Sequence, residues 1–352
     1  TVLYTFIGGF LAVSYTDVVQ GGLMFLALIT VPIMALMSLD NPSDIFSWAT
    51  SNPYGPWEHG NPDYFNMVAG VSAATIIGNI AWGLGYFGQP HIITRFMALR
   101  SPSEAKAARR TGTIWVAICY LGGIFTALVA TVYFGQKSAS VTDQSGYETV
   151  FLDLARIMFH PLIAGIVLTA VLAAIMSTMS SQLLVTSSAL IEDIYRIFKK
   201  NPNNTTLLVL SRAMVIGIAL IGMLLALNPS DTILGLVGFA WAGFGAAFGP
   251  VVVASLYWKR LTSQGAIAGM IVGAVTSFVW GSVDALSGMI YEIVPGVILA
   301  TLAMVVVSLA TRPKEGVEEE FDTAAAATDY ALAHPDEDFA AALRNRGGST
   351  AV

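Results

Sequence analysis

Long, almost uncharged apolar runs recur along this 352-residue chain, and they constrain it more than any other feature. A bilayer core of ~30 Å is crossed by about 20 consecutive apolar residues in a helix. Inside it the backbone must satisfy its own hydrogen bonds, which leaves helices or closed barrels. Full-length runs lie near 18–39, 66–94, 112–134, 159–187, 207–227, 232–257, 265–282 and 293–311. The opening TVLYTFIGGFLAV reads as the second half of another helix, over 1–14. Only 11% of the residues are charged, against about a quarter in soluble domains. The period-two alternation of a barrel is absent. The sequence therefore predicts an all-α polytopic membrane protein. Having neither an initiator Met nor a basic leader, the chain is expected to be a fragment that begins inside a membrane helix.

The cations alternate between connections. Arg95, Arg100, Lys106, Arg109 and Arg110 follow the third run, counting the partial one as first; Arg196, Lys199 and Lys200 follow the fifth, with Arg212 just inside the sixth. Lys259 and Arg260 follow the seventh, Arg312 and Lys314 the ninth. The alternate connections hold only Lys137 and Arg156, so thirteen cations fall on one side and two on the other. The positive-inside rule then puts the first set, and the C-terminus, in the cytoplasm. The connection 40–65 is external, and its aromatics suit an interfacial belt. Two regions are expected: a membrane transporter domain over 1–312 and a cytoplasmic acidic tail over 313–352, disordered or loosely helical. No basic patch suggests nucleic acid. The single Cys119 lies in a membrane run, and its expected role is packing.

The third run extends from about Asn66 to Met97, longer than one crossing needs. Its middle, IAWGLGYFGQPHI, contains Gly83, Gly85, Gly88 and Pro90, which weaken or break a helix. Freed backbone groups at membrane depth persist only where protein, ligand or water satisfies them, and such discontinuous helices mark transporter binding sites. GLGYFG also matches a dinucleotide-binding pattern, but it lacks the strand, the helix and the soluble setting that motif needs. Trp82 and Tyr86 stand four apart and share a face if the backbone between them is helical. They could close over a small substrate, or be ordinary lipid-facing or core aromatics.

The stretch LAAIMSTMSSQLLVTSS, 172–188, carries seven hydroxyls in a strongly apolar helix. Ala174, Ser177 and Thr178 fall at i, i+3 and i+4, on one face. Hydroxyls back-bonded to a carbonyl keep lone pairs that can form part of an oxygen shell for a hard cation. The competing reading is small residues packing helix against helix. That packing reading is preferred for Ser180, Ser181, Thr186, Ser187 and Ser188. Asp17, in SYTD, reads as an N-cap at the cytoplasmic start of the second span, and an acid there can also draw in a cation. Gly245 and Gly249 form a G-x-x-x-G that predicts close packing, with a bend at Pro250. His59, His91, His160 and His334 are scattered, and no P-loop or metal-ligand motif occurs, so no enzyme is expected.

WGLGYFGQPHIITRFMA (82–98), LAAIMSTMSSQLLVTSSALIEDIYR (172–196), FAWAGFGAAFGPVVVASLYW (239–258) and SLYWKRLTSQGAIAGMIVGAV (255–275) together resemble the sodium:solute symporters over 1–312. The resemblance implies a leucine-transporter-type inverted-repeat fold, incomplete because most of the first repeat is missing. It implies sodium-coupled uptake of L-proline by alternating access in a bacterial inner membrane. Ala174, Ser177 and Thr178 match the family's sodium positions, and Asp17 an acid on the sodium route. Trp82, Tyr86 and Pro90 match substrate positions. The family's sodium site also takes carbonyls from a helix this chain lacks, so the chain alone is expected not to perform coupled transport. A same-family symporter for another small solute and a symporter-like sensory module are the alternatives. Nothing after Arg312 resembles a signalling domain.

Overall fold

A computed structural model describes residues 1–51, 63, 65–136, 144–199, 203–227 and 232–334. Among them all regular structure is helical. In chain order the helices are α1 (Val2–Met37), α2 (Asp44–Ser51), α3 (Ala73–Ala81), α4 (Pro90–Met97), α5 (Glu104–Gln136), α6 (Gln144–Met158), α7 (Pro161–Ser188), α8 (Arg196–Phe198), α9 (Asn204–Ala226), α10 (Ile233–Tyr257), α11 (Ser263–Ser282), α12 (Asp284–Ser287), α13 (Ile293–Ala310) and α14 (Val317–Ala333). A 3₁₀ segment, Trp82–Gly88, joins α3 to α4, and a π-helical segment, Ala189–Tyr195, carries α7 into α8. Seven of these helical stretches are long and apolar enough to cross a membrane: α1, α5, α7 through α8, α9, α10, α11 and α13. The third run is not among them, because it is divided between α3, the 3₁₀ segment and α4.

The chain folds as two compact units, Thr1–Ala69 with Gly112–Pro229, and Gly70–Thr111 with Ser230–Val352. The first is organised around α1, α7 and α9. Its core gathers Val31 and Ala35 of α1, Val129 and Val132 of α5, Leu154 of α6, and Val167 and Ala170 of α7. The sequence placed a connection at 15–17, between a partial helix and a full span. The structure moves the break to Gly9, whose φ of 57° and ψ of −150° suit a residue without a Cβ. Residues 15–17 continue the helix, and Thr16 Oγ1 back-bonds to the Ala12 and Val13 carbonyls at 3.0 and 2.9 Å.

The second unit packs the broken helix, α11 and α13 around α10. Small residues set the approach. A Cβ on Gly265 would lie 1.9 Å from Ser308 Oγ, and one on Gly273 would lie 2.3 Å from the Ala246 carbonyl oxygen. The acidic tail is helical over α14, where Asp322 pairs with Lys259 and Phe321 lies 5.7 Å from the Lys259 ammonium. Residues 335–352 of that tail, and Tyr54, Trp57 and Tyr64 of the connection 40–65, lie outside the described residues.

Candidate functional site

The third run breaks where its glycines predict. α3 ends at Ala81, and seven residues, WGLGYFG, wind as a 3₁₀ helix. Gln89 then adopts an extended φ, ψ of −85° and 110°, as the position before a proline favours. Pro90 opens α4 at its first turn, where a missing N–H is tolerated, so it starts a new helix and does not kink a continuous one. A 3₁₀ turn this long has poor hydrogen-bond geometry and needs outside support.

That support comes from α10. A Cβ on Gly85 would sit 1.9 Å from Trp241 Nε1, and one on Gly88 would sit 2.4 Å from the Phe244 carbonyl oxygen. Only glycine lets the segment lie this close. The G-x-x-x-G of α10 faces it from the other side: a Cβ on Gly245 would meet Gly85 Cα at 2.7 Å. The close packing expected there is present, and Pro250 lies within an uninterrupted α10.

Trp82 and Tyr86 both meet Trp241. The Trp82 ring stacks on it at 5.5 Å and 14°, and the Tyr86 ring meets it edge-on at 4.8 Å and 84°. Tyr291 also stacks with Trp82, at 5.9 Å and 17°. Its hydroxyl donates to the Gly238 carbonyl at 2.7 Å. Burial, and then the neighbouring Glu292, push the Tyr291 phenol above its usual range, so it stays a donor at neutral pH. Ala81, Ala242 and Ile293 form the buried floor beneath these rings. Tyr86 remains 38% exposed, leaving an aromatic face on a rigid backing.

In the first unit, the Ala174 carbonyl accepts the Ser177 hydroxyl at 2.9 Å and the Thr178 hydroxyl at 3.4 Å. Three neutral oxygens therefore converge on one face of α7, as the spacing predicts. Tyr4 donates to the Met176 carbonyl at 3.3 Å, which ties the start of α1 to α7. Ser180, Ser181 and Ser187 are buried and back-bond to the Ser177 and Leu184 carbonyls, which agrees with a packing role. Asp17 is half-buried within α1 and caps no helix, so the N-cap reading fails because the helix begins earlier.

Trp241, Gln89 and Tyr291 did not stand out in the sequence. Trp241 lies inside the glycine-rich FAWAGFG, and Tyr291 ends a loop. Their roles come from contacts 53 to 159 residues away in the chain, to which no local pattern points.

The sodium:solute symporter family model matches residues 1–273. A high-affinity proline transporter of Bacillus subtilis is 46% identical over 91% of this chain and 66% of its own length. An osmoregulated proline transporter of the same organism is 47% identical over 88% of this chain and 61% of its own. A sodium/proline symporter of Escherichia coli is 44% identical over 91% and 62%. The chain thus spans less than two-thirds of the length of these curated relatives. Among solved structures, a Na+-coupled sialic acid symporter in a substrate-bound outward-open state matches with a TM-score of 0.71 at 21% identity, over 89% of this chain and 65% of that one. That likeness shows the fold, which is of the leucine-transporter type. With well over half of its residues matched by the family model, the chain belongs to the sodium:solute symporter family.

Proposed function

We propose that this chain serves in a sodium-coupled secondary transporter that takes up L-proline by alternating access across a bacterial inner membrane. The supporting observation is the broken helix backed by Trp241. It offers the Trp82 and Tyr86 rings on a 3₁₀ segment between two helices, the arrangement that suits a small amphipathic solute. The names carried by relatives at 44–47% identity point to proline as that solute.

In this reading Trp82 and Tyr86 pack against the pyrrolidine ring, and Pro90 fixes where α4 resumes. Ala174, Ser177 and Thr178 contribute part of the sodium shell. Their neutral oxygens bind a monovalent ion weakly enough to release it, as a coupling ion requires. Asp17 lies on the sodium route. Proline and sodium are cargo, and no chemistry is performed on either. The C-terminus, with α14, faces the cytoplasm, where the excess of cations lies.

The test is uptake of labelled proline into membrane vesicles carrying the longest protein that contains this chain. Uptake should rise with an inward sodium gradient and fall to background when choline replaces sodium. Sodium-indifferent uptake removes the coupling. Sodium-driven uptake of a different solute, with proline failing to compete, replaces the substrate.

A further inference from the structure

We propose that Trp241 is a positioning residue: with Gln89 it forms a two-way clip that holds Trp82 and Tyr86 in the geometry that meets substrate. The inference rests on the substrate role proposed above for those two rings. Trp241 ties both ends of the 3₁₀ segment to one residue of α10. Its indole N–H donates to the carbonyl of Trp82, the first residue of the segment, at 2.9 Å. The Trp241 carbonyl accepts Nε2 of Gln89, the residue just after the segment, at 3.2 Å.

The direction of both bonds is fixed, because an indole nitrogen only donates and a carbonyl only accepts. Gln89 is 4% exposed, so water cannot take over its bond to α10. Between the two ties, the edge of the Trp241 ring lies over Gly85 and blocks the segment from moving toward α10. The same ring is the surface on which Trp82 stacks and Tyr86 abuts. One residue thus sets the length of the break and the orientation of both aromatics. No part of this clip belongs to α7, so loosening it should change proline binding without changing the sodium requirement.

The experiment pairs Trp241→Phe, which keeps a ring and loses the N–H, with Gln89→Met, which keeps the chain length and loses the amide. Vesicle uptake should show an apparent proline KM raised about two- to tenfold, the weight of one net hydrogen bond. Sodium half-saturation and membrane abundance should stay at the parent values. Amide hydrogen exchange over 83–88 should quicken in both variants. If Trp241→Phe lowers abundance, Gln89→Met decides. An unchanged proline KM in the well-expressed variant overturns the positioning role, even with faster exchange. A parallel Tyr86→Ala variant separates the two ideas. If that variant keeps the parent KM, the substrate reading fails, and unchanged exchange in Trp241→Phe would then overturn the clip itself.

Discussion

The hydroxyl-rich stretch of α7 and the broken helix at 82–89 both place polar groups inside strongly apolar sequence, but they satisfy them in opposite ways. On α7 the hydroxyls of Ser177, Thr178, Ser180, Ser181 and Ser187 turn back on their own helix, three or four residues away, to the carbonyls of Ala174, Ser177 and Leu184. At the break, the Trp82 carbonyl and the Gln89 amide find partners on Trp241, 159 and 152 residues away. A helix that closes its bonds locally can offer spare lone pairs at little structural risk. A helix that opens depends on another element and inherits that element's constraints. Changes on α7 should therefore act on one ligand at a time, whereas changes at the break should disturb the whole segment.

The largest contrast should come from adding one methyl group in each region. Gly85→Ala drives a Cβ into the Trp241 ring, an overpacking that costs about 1–3 kcal/mol. Proline uptake should fall at least about fivefold, or the protein should fail to accumulate. Gly165→Ala on α7 meets nothing within 4 Å, and should leave uptake unchanged while adding about 0.5–1 kcal/mol of helix stability. Uptake by both variants, normalised to abundance, reads the difference. Equal tolerance would mean that the break does not depend on α10.

Next in size is Tyr86→Ala, which removes the edge-on contact with Trp241 and the exposed ring face. The stacking loss alone is about 0.5–1.5 kcal/mol, and lost contact with proline should bring the rise in KM to about tenfold or more. A smaller effect of a different kind is expected on α7. Ser177→Ala and Thr178→Val should raise the sodium concentration for half-maximal uptake severalfold and leave proline KM unchanged at saturating sodium. Ser180→Ala, which removes a buried back-bonded hydroxyl, should change neither. Titrating both cargoes for each variant shows whether the two regions are separable. A sodium dependence unmoved by Ser177→Ala assigns that hydroxyl to packing.

The same division explains what could be read from the sequence. The helical class, most of the spans, the break at Gly83–Pro90 and the convergence of Ser177 and Thr178 on Ala174 all follow from local rules of length, glycine content and helical spacing. Gly9 was misplaced because Gly8–Gly9 sits in a short apolar stretch, while SYTD nearby looks like a polar turn. Its hydroxyls instead back-bond, Ser14 to Phe10 and Thr16 to Ala12, and continue the helix. Trp241 and Gln89 were invisible because their meaning lies in each other, and nothing in FAWAGFG or GQPH records the distant partner.

The smallest effect concerns a carboxyl beside the aromatic set. Glu292, just ahead of α13, is 8% exposed, and its carboxyl packs against Gly281. Burial raises its pKa, and a hydrogen bond from its own backbone amide offsets part of that rise. The carboxyl therefore ionises more readily in the unfolded chain. Its stability contribution is full below the unfolded-state value, about 4.3, and is lost as pH rises through the higher folded value. Glu292→Gln removes that loss, so its thermal unfolding in detergent should lie above the parent's at neutral pH, with the difference vanishing below about pH 4. Glu192, on the π-helical extension of α7, is the matching control. It is half-exposed and pairs with Arg196 one turn away at 2.6 Å, a surface contact worth about 0–1 kcal/mol. Glu192→Gln should thus be neutral or slightly destabilising at pH 7. If Glu292→Gln behaved the same way, the carboxyl would be solvated in the folded protein, and the aromatic region would be wetter than its packing implies.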